Sequence, residues 1–264
     1  MTLQVLSPAR HRQQRWTQAT RYTFASQRNL VGLAAGELSR AALALPLAFV
    51  GNEGHWSLCA VLGLATGQNL YVGPDGQWIG TYVPATLRAH PFHLGWEGGS
   101  ATLCVDEDSD LLPANGTGEP IFDEGGDLSP QVREVWAFLS QIAQGVLTME
   151  KAAHLLADAG VIEPWPITVQ GVDGAQNVSG LHRINEGALS ALDETAFSRL
   201  RQAGVIGVAY AQLLSMGNLA DLGRLAQARA EAEAADRAKA EVKPMMMLPD
   251  DSTIDWDWSK VGKS

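Results

Sequence analysis

The run "GQNLYVGPDGQWIGTYVPATLRAHPF", residues 67–92, constrains the fold of this chain more than any other stretch. Its apolar segments "NLYV" and "QWIGTYV" flank "GPDG". There Pro74 presets φ, Asp75 can hydrogen-bond within its own turn, and Gly76 can take left-handed backbone. The pattern predicts a β-hairpin, with Gln77, Ile79, Thr81 and Val83 on one side and Trp78 and Tyr82 on the other. Pro84 ends the second strand and opens a short helix, "PATLRAH", because the first helical turn tolerates a missing donor.

The same punctuation organises the rest of the chain. "GLAAGELSRAALALP" reads as a short helix stopped by Pro46, whose ring and missing amide cannot continue it. "LAFVGNEG" and "WSLCAVLGL" are continuous apolar runs bounded by turn residues, the signature of buried strands. After a Gly- and Pro-rich acidic loop, Ser129 is placed to cap a helix with Pro130 at its first position. Val132, Val135, Trp136, Leu139, Ile142 and Val146 then share one face. Gly145 and Thr148 are expected to divide that run into two helices, the second ending at Gly160. "PWPITVQGVDGAQNVSGLHRI" predicts a second hairpin turning at Val172, Asp173 and Gly174. Leu192, Asp193 and Phe197 form a helix-start signature of staple and cap, and Arg199, Arg201 and Gly204 close that helix. A longer helix from Val205 passes into "ARAEAEAADRAKAEVK", whose four acids and four bases describe a solvated helix or linker broken by Pro244. The expected organisation is an α+β domain over 1–226, a charged segment over 227–243 and a Trp- and Asp-rich tail over 244–264.

At 264 residues and 46% hydrophobic, the chain can bury a sizeable core. Its apolar runs are too short for a membrane span, and its basic lead has no apolar core of the secretory kind. A net charge of −10 argues against a nucleic-acid partner, which needs a basic surface. Charge distribution is more telling than the total. Five arginines and no acid precede Asn29, whereas residues 106–127 hold eight carboxylates and no base. The two blocks either attract each other, within the chain or between subunits, or form two separate solvated faces. Cys59 and Cys104 sit in strand-like apolar runs, which points to reduced thiols and a cytoplasmic setting.

Chemistry-bearing spacings are sparse. His90 and His93, with Cys104 and Asp106 behind them, are the nearest approach to a metal site. Pro91 interrupts any helix through the pair and no third ligand has the spacing, so no metal or other cofactor is expected. The acidic residues around Asp106 and Asp123 could supply a catalytic carboxyl pair only if their environments differed. No nucleophile elbow or phosphate loop is present. Gln68 and Asn69, followed by Tyr82 and Arg88, could form a polar pocket wall together with Asp106 and Asp123; alternatively the two amides satisfy backbone groups at a strand start. In the tail, Met246, Leu248, Ile254, Trp256 and Trp258 have the composition of anchors for a partner groove.

Several long motifs in a fixed order resemble the SapC family of bacterial proteins: "GELSRAALALPLAFV", "AVLGLATGQNLYVGPDGQWIGTYVPATLRAHPF", "LCVDED", "GEPIFDEGGDLSP", "GVIEPWPITV" and "GLHRINEGALSALDETAFSRLRQAGVIGVAYAQLLSMGNLADL". The resemblance runs from about residue 34 to residue 222 and leaves out the charged segment and the tail. The family takes its name from a gene associated with surface-layer protein secretion, and it brings no settled catalytic residues. Its members' neighbouring genes include outer-membrane receptors and halogenase-like and cupin-like oxygenases, which implies an intracellular accessory or modifying role. His90 stands where members commonly carry an aromatic residue.

These readings converge on a non-enzymatic cytoplasmic accessory protein, binding another protein or itself through the tail during export, assembly or modification of a cell-surface component. The alternatives are an enzyme, such as an iron-dependent oxygenase or its partner subunit with Gln68, Asn69, Arg88, His93, Asp106 and Asp123 around a pocket, and a component of a phage-like particle.

Overall fold

The structure, a computed structural model, describes residues 2–52, 54–171 and 174–241. Strand β1 (Leu3–Val5) leads into helix α1 (Pro8–His11) and strand β2 (Arg15–Trp16). Next come β3 (Leu30–Gly32), α2 (Leu38–Ala44), β4 (Leu47–Asn52), β5 (His55–Val61) and α3 (Ala85–Arg88). The middle of the chain forms β6 (Phe92–Glu97), β7 (Ser100–Asp106), β8 (Glu119–Pro120) and the long helix α4 (Pro130–Asp158). It continues through β9 (Ile162–Pro164), β10 (Ile167–Gly171), β11 (Gly174–Val178) and β12 (Leu181–Ile184), and then through α5 (Glu186–Ser190), α6 (Glu194–Gln202), α7 (Ile206–Ser215) and α8 (Leu219–Glu241).

The strands pair antiparallel in a five-stranded sheet, β3-β5-β4-β12-β9, a three-stranded sheet, β1-β7-β6, and the two-stranded pairs β2-β8 and β10-β11. The class is α+β, as expected. Leu47, Ala48 and Phe49 are all fully buried although successive strand residues face opposite ways, so the large sheet is covered on both faces. Helix α4 packs on β5, and α7 packs on β4 and β12. Two polar side chains fasten α7 to the sheet. Gln212 Nε2 donates to Leu47 O at 3.1 Å and its Oε1 accepts from Ile184 N at 2.9 Å, while Ser215 Oγ accepts from Leu47 N at 3.1 Å. A second core lies between the smaller sheet and α4, where Phe92, Leu103 and Val105 meet Val132 and Leu139. Each such side chain, fully buried, contributes about 1.5–3 kcal/mol.

Several local expectations hold. Helix α2 stops before Pro46, β4 and β5 are paired strands, and β10-β11 form the second hairpin, with its turn residues Val172 and Asp173 outside the described residues. Ser129 Oγ accepts from Val132 N at 3.3 Å at the start of α4, and Asp193 Oδ1 accepts from Ala196 N at 2.7 Å at the start of α6. Gly160 and Gly204 take positive φ, 69° and 73°, just beyond their helices.

Two expectations are corrected. The hairpin over residues 70–83 is not a pair of strands: only a single bridge joins Val72 and Trp78 around the Gly73–Gly76 turn. Across the turn Gly73 N donates to Gln77 O and Ile79 N to Tyr71 O, but just before it Asn69 N donates to Ser26 O and Leu70 N to Leu62 O, and the ladder does not extend beyond that bridge. Tyr71 and Trp78 stack with centroids 5.5 Å apart. Nor do Gly145 and Thr148 split α4, which runs unbroken for 29 residues. A Cβ at Gly145 would come within 2.8 Å of Ala34 Cβ, so this glycine permits close packing and is not a breaker. Thr148 Oγ1 donates back to Gln144 O at 2.9 Å and stays within the helix.

The basic lead lies on the acidic stretch of the same chain. Arg10 forms a two-pronged pair with Glu107, both bonds 2.6 Å, and His11 Nε2 is 3.2 Å from Glu107 Oε1. Arg12 and Arg15 donate to the carbonyls of Glu124 and Gly118 at 2.6 and 2.7 Å. Of the two alternatives for these charge blocks, attraction within the chain is the one realised.

The chain divides into two units, Met1–Leu225 and Ala226–Ser264. The described part of the second is the later turns of α8, where Arg229 pairs with Glu233 one turn on and residues 231–239 are exposed. The expected Pro244 break and the tail residues Met246, Leu248, Ile254, Trp256 and Trp258 lie outside the described residues.

Candidate functional site

The site begins at a buried carboxylate. Glu37 ends a single 3-10 turn, Ala35–Glu37, in front of α2 and is only 5% exposed. Its Oε1 accepts from Ala34 N at 2.9 Å, and its Oε2 accepts from both Ala85 N and Tyr82 Oη at 2.7 Å. Three donors offset the cost of burying this charge, and they tie α2, the Tyr82 segment and the start of α3 together. Burial above all, followed by the bond to Glu37 and its charge, pushes the Tyr82 phenol up to about 12, while Arg88 acts the other way. Tyr82 therefore remains a donor at neutral pH.

Arg88 closes α3, and its guanidinium carbon lies 5.8 Å from the Tyr82 ring centre and 5.2 Å from that of Phe138. Two aromatic faces thus hold a solvent-exposed cation in a restricted position. Among the described residues no carboxylate forms an ion pair with it.

Arg88 stands at the rim of a cleft of about 470 Å³. Its floor and walls are Trp16, Tyr22, Ala89, Val135 and Phe138, and its rim carries Gln18, Glu119, Gln131 and Glu134 beside Arg88. Residues 131, 134, 135 and 138 line it together because they recur at helical spacing on one face of α4. Trp16 is brought in by the β2-β8 pairing and rests edge-on against Phe92, centroids 4.9 Å apart. Its indole nitrogen is buried and finds no partner among the described residues. The arrangement joins an aromatic floor to a fixed cation and amide groups, the chemistry of recognition surfaces.

A second cleft, about 410 Å³, is lined by Phe24, Arg28, His90, Asp106, Ser109 and Asp110 among others. His90 is 4% exposed, stacks on Phe24 at 3.8 Å and has Nε2 3.0 Å from Ser109 Oγ. Burial first, then His93 and Arg28, pushes its pKa down to about 4 against the pull of Asp106 and Asp110. His93 is lowered as well, chiefly by burial, and its buried Nε2 has no partner among the described residues. Ser109 Oγ also accepts from Leu111 N at 3.2 Å, so its hydroxyl closes a turn. Among the described residues no three His, Cys, Asp or Glu side chains converge in a metal-holding group.

The residues singled out from the sequence are thereby separated. Tyr82 and Arg88 come together at the first cleft. Asp106 lines the second and accepts from Thr2 N at 3.0 Å. Asp123 lines a third with Arg12 and Gln14, and bonds Asp127 N at 3.0 Å. Asn69 is fully buried and serves the backbone, donating to Ala25 O at 3.0 Å and accepting from Tyr71 N at 2.9 Å. Gln68 sits beside it with its carbonyl against Gly63, where a Cβ would lie 1.8 Å from that oxygen. Sequence reasoning missed Glu37, Trp16, Tyr22 and Phe138. The helical spacing of 131, 134, 135 and 138 was the one available signal, and nothing local linked it to Arg88.

Small antiparallel sheets packed with helices around the long α4, with an aromatic-floored cleft beside it, define an α+β domain. The chain belongs to the SapC family, whose family model matches residues 6–222. No curated protein and no solved structure matches it.

Proposed function

We propose that this SapC family protein is a non-enzymatic cytoplasmic accessory protein that binds another protein during export, assembly or modification of a cell-surface component, and that the cleft floored by Trp16 and Phe138 receives a segment of that partner. One observation carries the reading: an exposed guanidinium, braced by Tyr82 and Phe138 and lacking an ion-pair partner among the described residues, stands over an open aromatic floor. An apolar floor favours burial of a partner side chain, and a braced cation loses little freedom on pairing. The tail, with Trp256 and Trp258, is a second contact in this proposal.

Affinity capture from the native host would use the intact chain, a chain ending at Lys243, and Gln131→Arg, which crowds the rim from an exposed helix position. The expected result is a defined partner that the Gln131→Arg chain fails to retain at unchanged melting temperature, with capture or self-association reduced in the shortened chain. Identical captured sets from all three would sink the reading.

A further inference from the structure

The chemistry of the cleft narrows what the partner segment is, an inference that rests on the docking reading above. We propose that the cleft recognises a peptide carboxyl terminus whose last residue is apolar, with Arg88 taking the terminal carboxylate.

Arg88 presents a planar fork suited to two parallel bonds with a carboxylate, and its position is set before any ligand arrives. Tyr82 is held by Glu37 at 2.7 Å, and Arg88 lies over Tyr82 and Phe138. Glu119 and Glu134 share the same rim. Their charges repel any anion in proportion to its charge, a phosphomonoester dianion more than a single carboxylate, so the pairing with a carboxylate rests on Arg88 itself. Below the rim, Trp16, Val135 and Phe138 offer an apolar and aromatic surface for one or two side chains. Gln18 and Gln131, also in the lining, carry amide groups that can donate to and accept from a peptide backbone. The mouth is open, so a chain can leave it. A free amino acid shares the carboxylate and the apolar group but adds an ammonium, which Glu119 or Glu134 could meet; the experiment separates the two sources.

Titration calorimetry on the full-length protein would compare acetyl-Gly-Gly-Leu-Phe bearing a free carboxylate, the same peptide ended as an amide, and phenylalanine. The free acid is expected to bind roughly tenfold more tightly than the amide, the scale of a charge-assisted pair, and more tightly than phenylalanine. Arg88→Gln is expected to erase the preference for the acid while the protein still melts cooperatively within a few degrees of wild type, the small loss reflecting its contacts with Tyr82 and Phe138, and Arg88→Lys to restore part of the preference. Equal affinities for acid and amide, a preference that survives Arg88→Gln, or no binding of the acid up to millimolar concentration would each overturn the proposal. Phenylalanine binding as tightly as the peptide would overturn it in favour of a small-molecule site. If any of these occurred while Gln131→Arg still lost its partner, the docking reading would stand and only the terminal carboxylate would fall.

Discussion

Tyr82 donates its hydroxyl to Glu37 across 45 residues of sequence, at 2.7 Å, and the same carboxylate oxygen accepts the first amide of α3 from Ala85. That shared oxygen couples the entry to α2 with the helix that carries Arg88. The position of a surface cation therefore depends on a buried anion on another element.

Replacing Glu37 tests this coupling. Glu37→Ala leaves the amides of Ala34 and Ala85 and the Tyr82 hydroxyl without their acceptor, and an unsatisfied buried donor costs roughly 1–3 kcal/mol. Urea unfolding should show a loss of several kcal/mol for Glu37→Ala and about 1 kcal/mol for Tyr82→Phe. A Glu37→Ala protein as stable as wild type would refute the role of this carboxylate.

His90 gives a pH dependence of definite sign. Its folded pKa, about 4, lies below its ordinary value of 6.5, so between those values the unfolded chain binds a proton that the folded chain does not. Stability from this group is complete above pH 6.5 and is lost as pH falls toward 4, by up to about 3 kcal/mol. His93, lowered too, adds in the same direction. Urea midpoints from pH 7 to pH 4 should fall less steeply in His90→Gln, which keeps a partner for Ser109; an unchanged slope would show that the histidine is not responsible.

Two glycine substitutions should move stability in opposite directions. At Gly145 an added methyl would meet Ala34 Cβ at 2.8 Å and Ala35 N at 3.0 Å, whereas at Gly207 in α7 nothing lies within 4 Å. Gly145→Ala is expected to lower stability by about 1–2 kcal/mol, because crowding outweighs the helical gain. Gly207→Ala is expected to raise it by about 0.5–1 kcal/mol. Thermal melts of the two variants decide the matter, and a stabilised Gly145→Ala would contradict the close contact.

The thiols should be inert. Cys59 and Cys104 are both free and buried, and burial pushes the Cys59 thiol up against a smaller opposite effect of Ser57. At about pH 8, a colorimetric disulfide reagent should label neither until denaturant is added, since the thiolate is the reactive form. Rapid labelling of the native protein would show that these strands open readily.

Local sequence determined what depends on a few neighbouring residues: the caps at Ser129 and Asp193, the helix ends before Gly160 and Gly204, the paired strands β4 and β5, and the α+β class. Those features arise from backbone preferences and apolar periodicity, which act over a handful of positions. Tertiary structure alone decided the rest. The Gly73–Gly76 turn carries a single bridge because the donors just before it, Asn69 and Leu70, bond Ser26 and Leu62, and Gly145 lies inside an unbroken helix where it leaves room for Ala34. The cleft joins Trp16, Arg88 and Phe138, which are far apart in sequence. Trp16 is brought in by the β2-β8 pairing, Arg88 by the bonds of Glu37 to Tyr82 and Ala85, and Phe138 by α4, and only the last of these has a periodic trace in the chain.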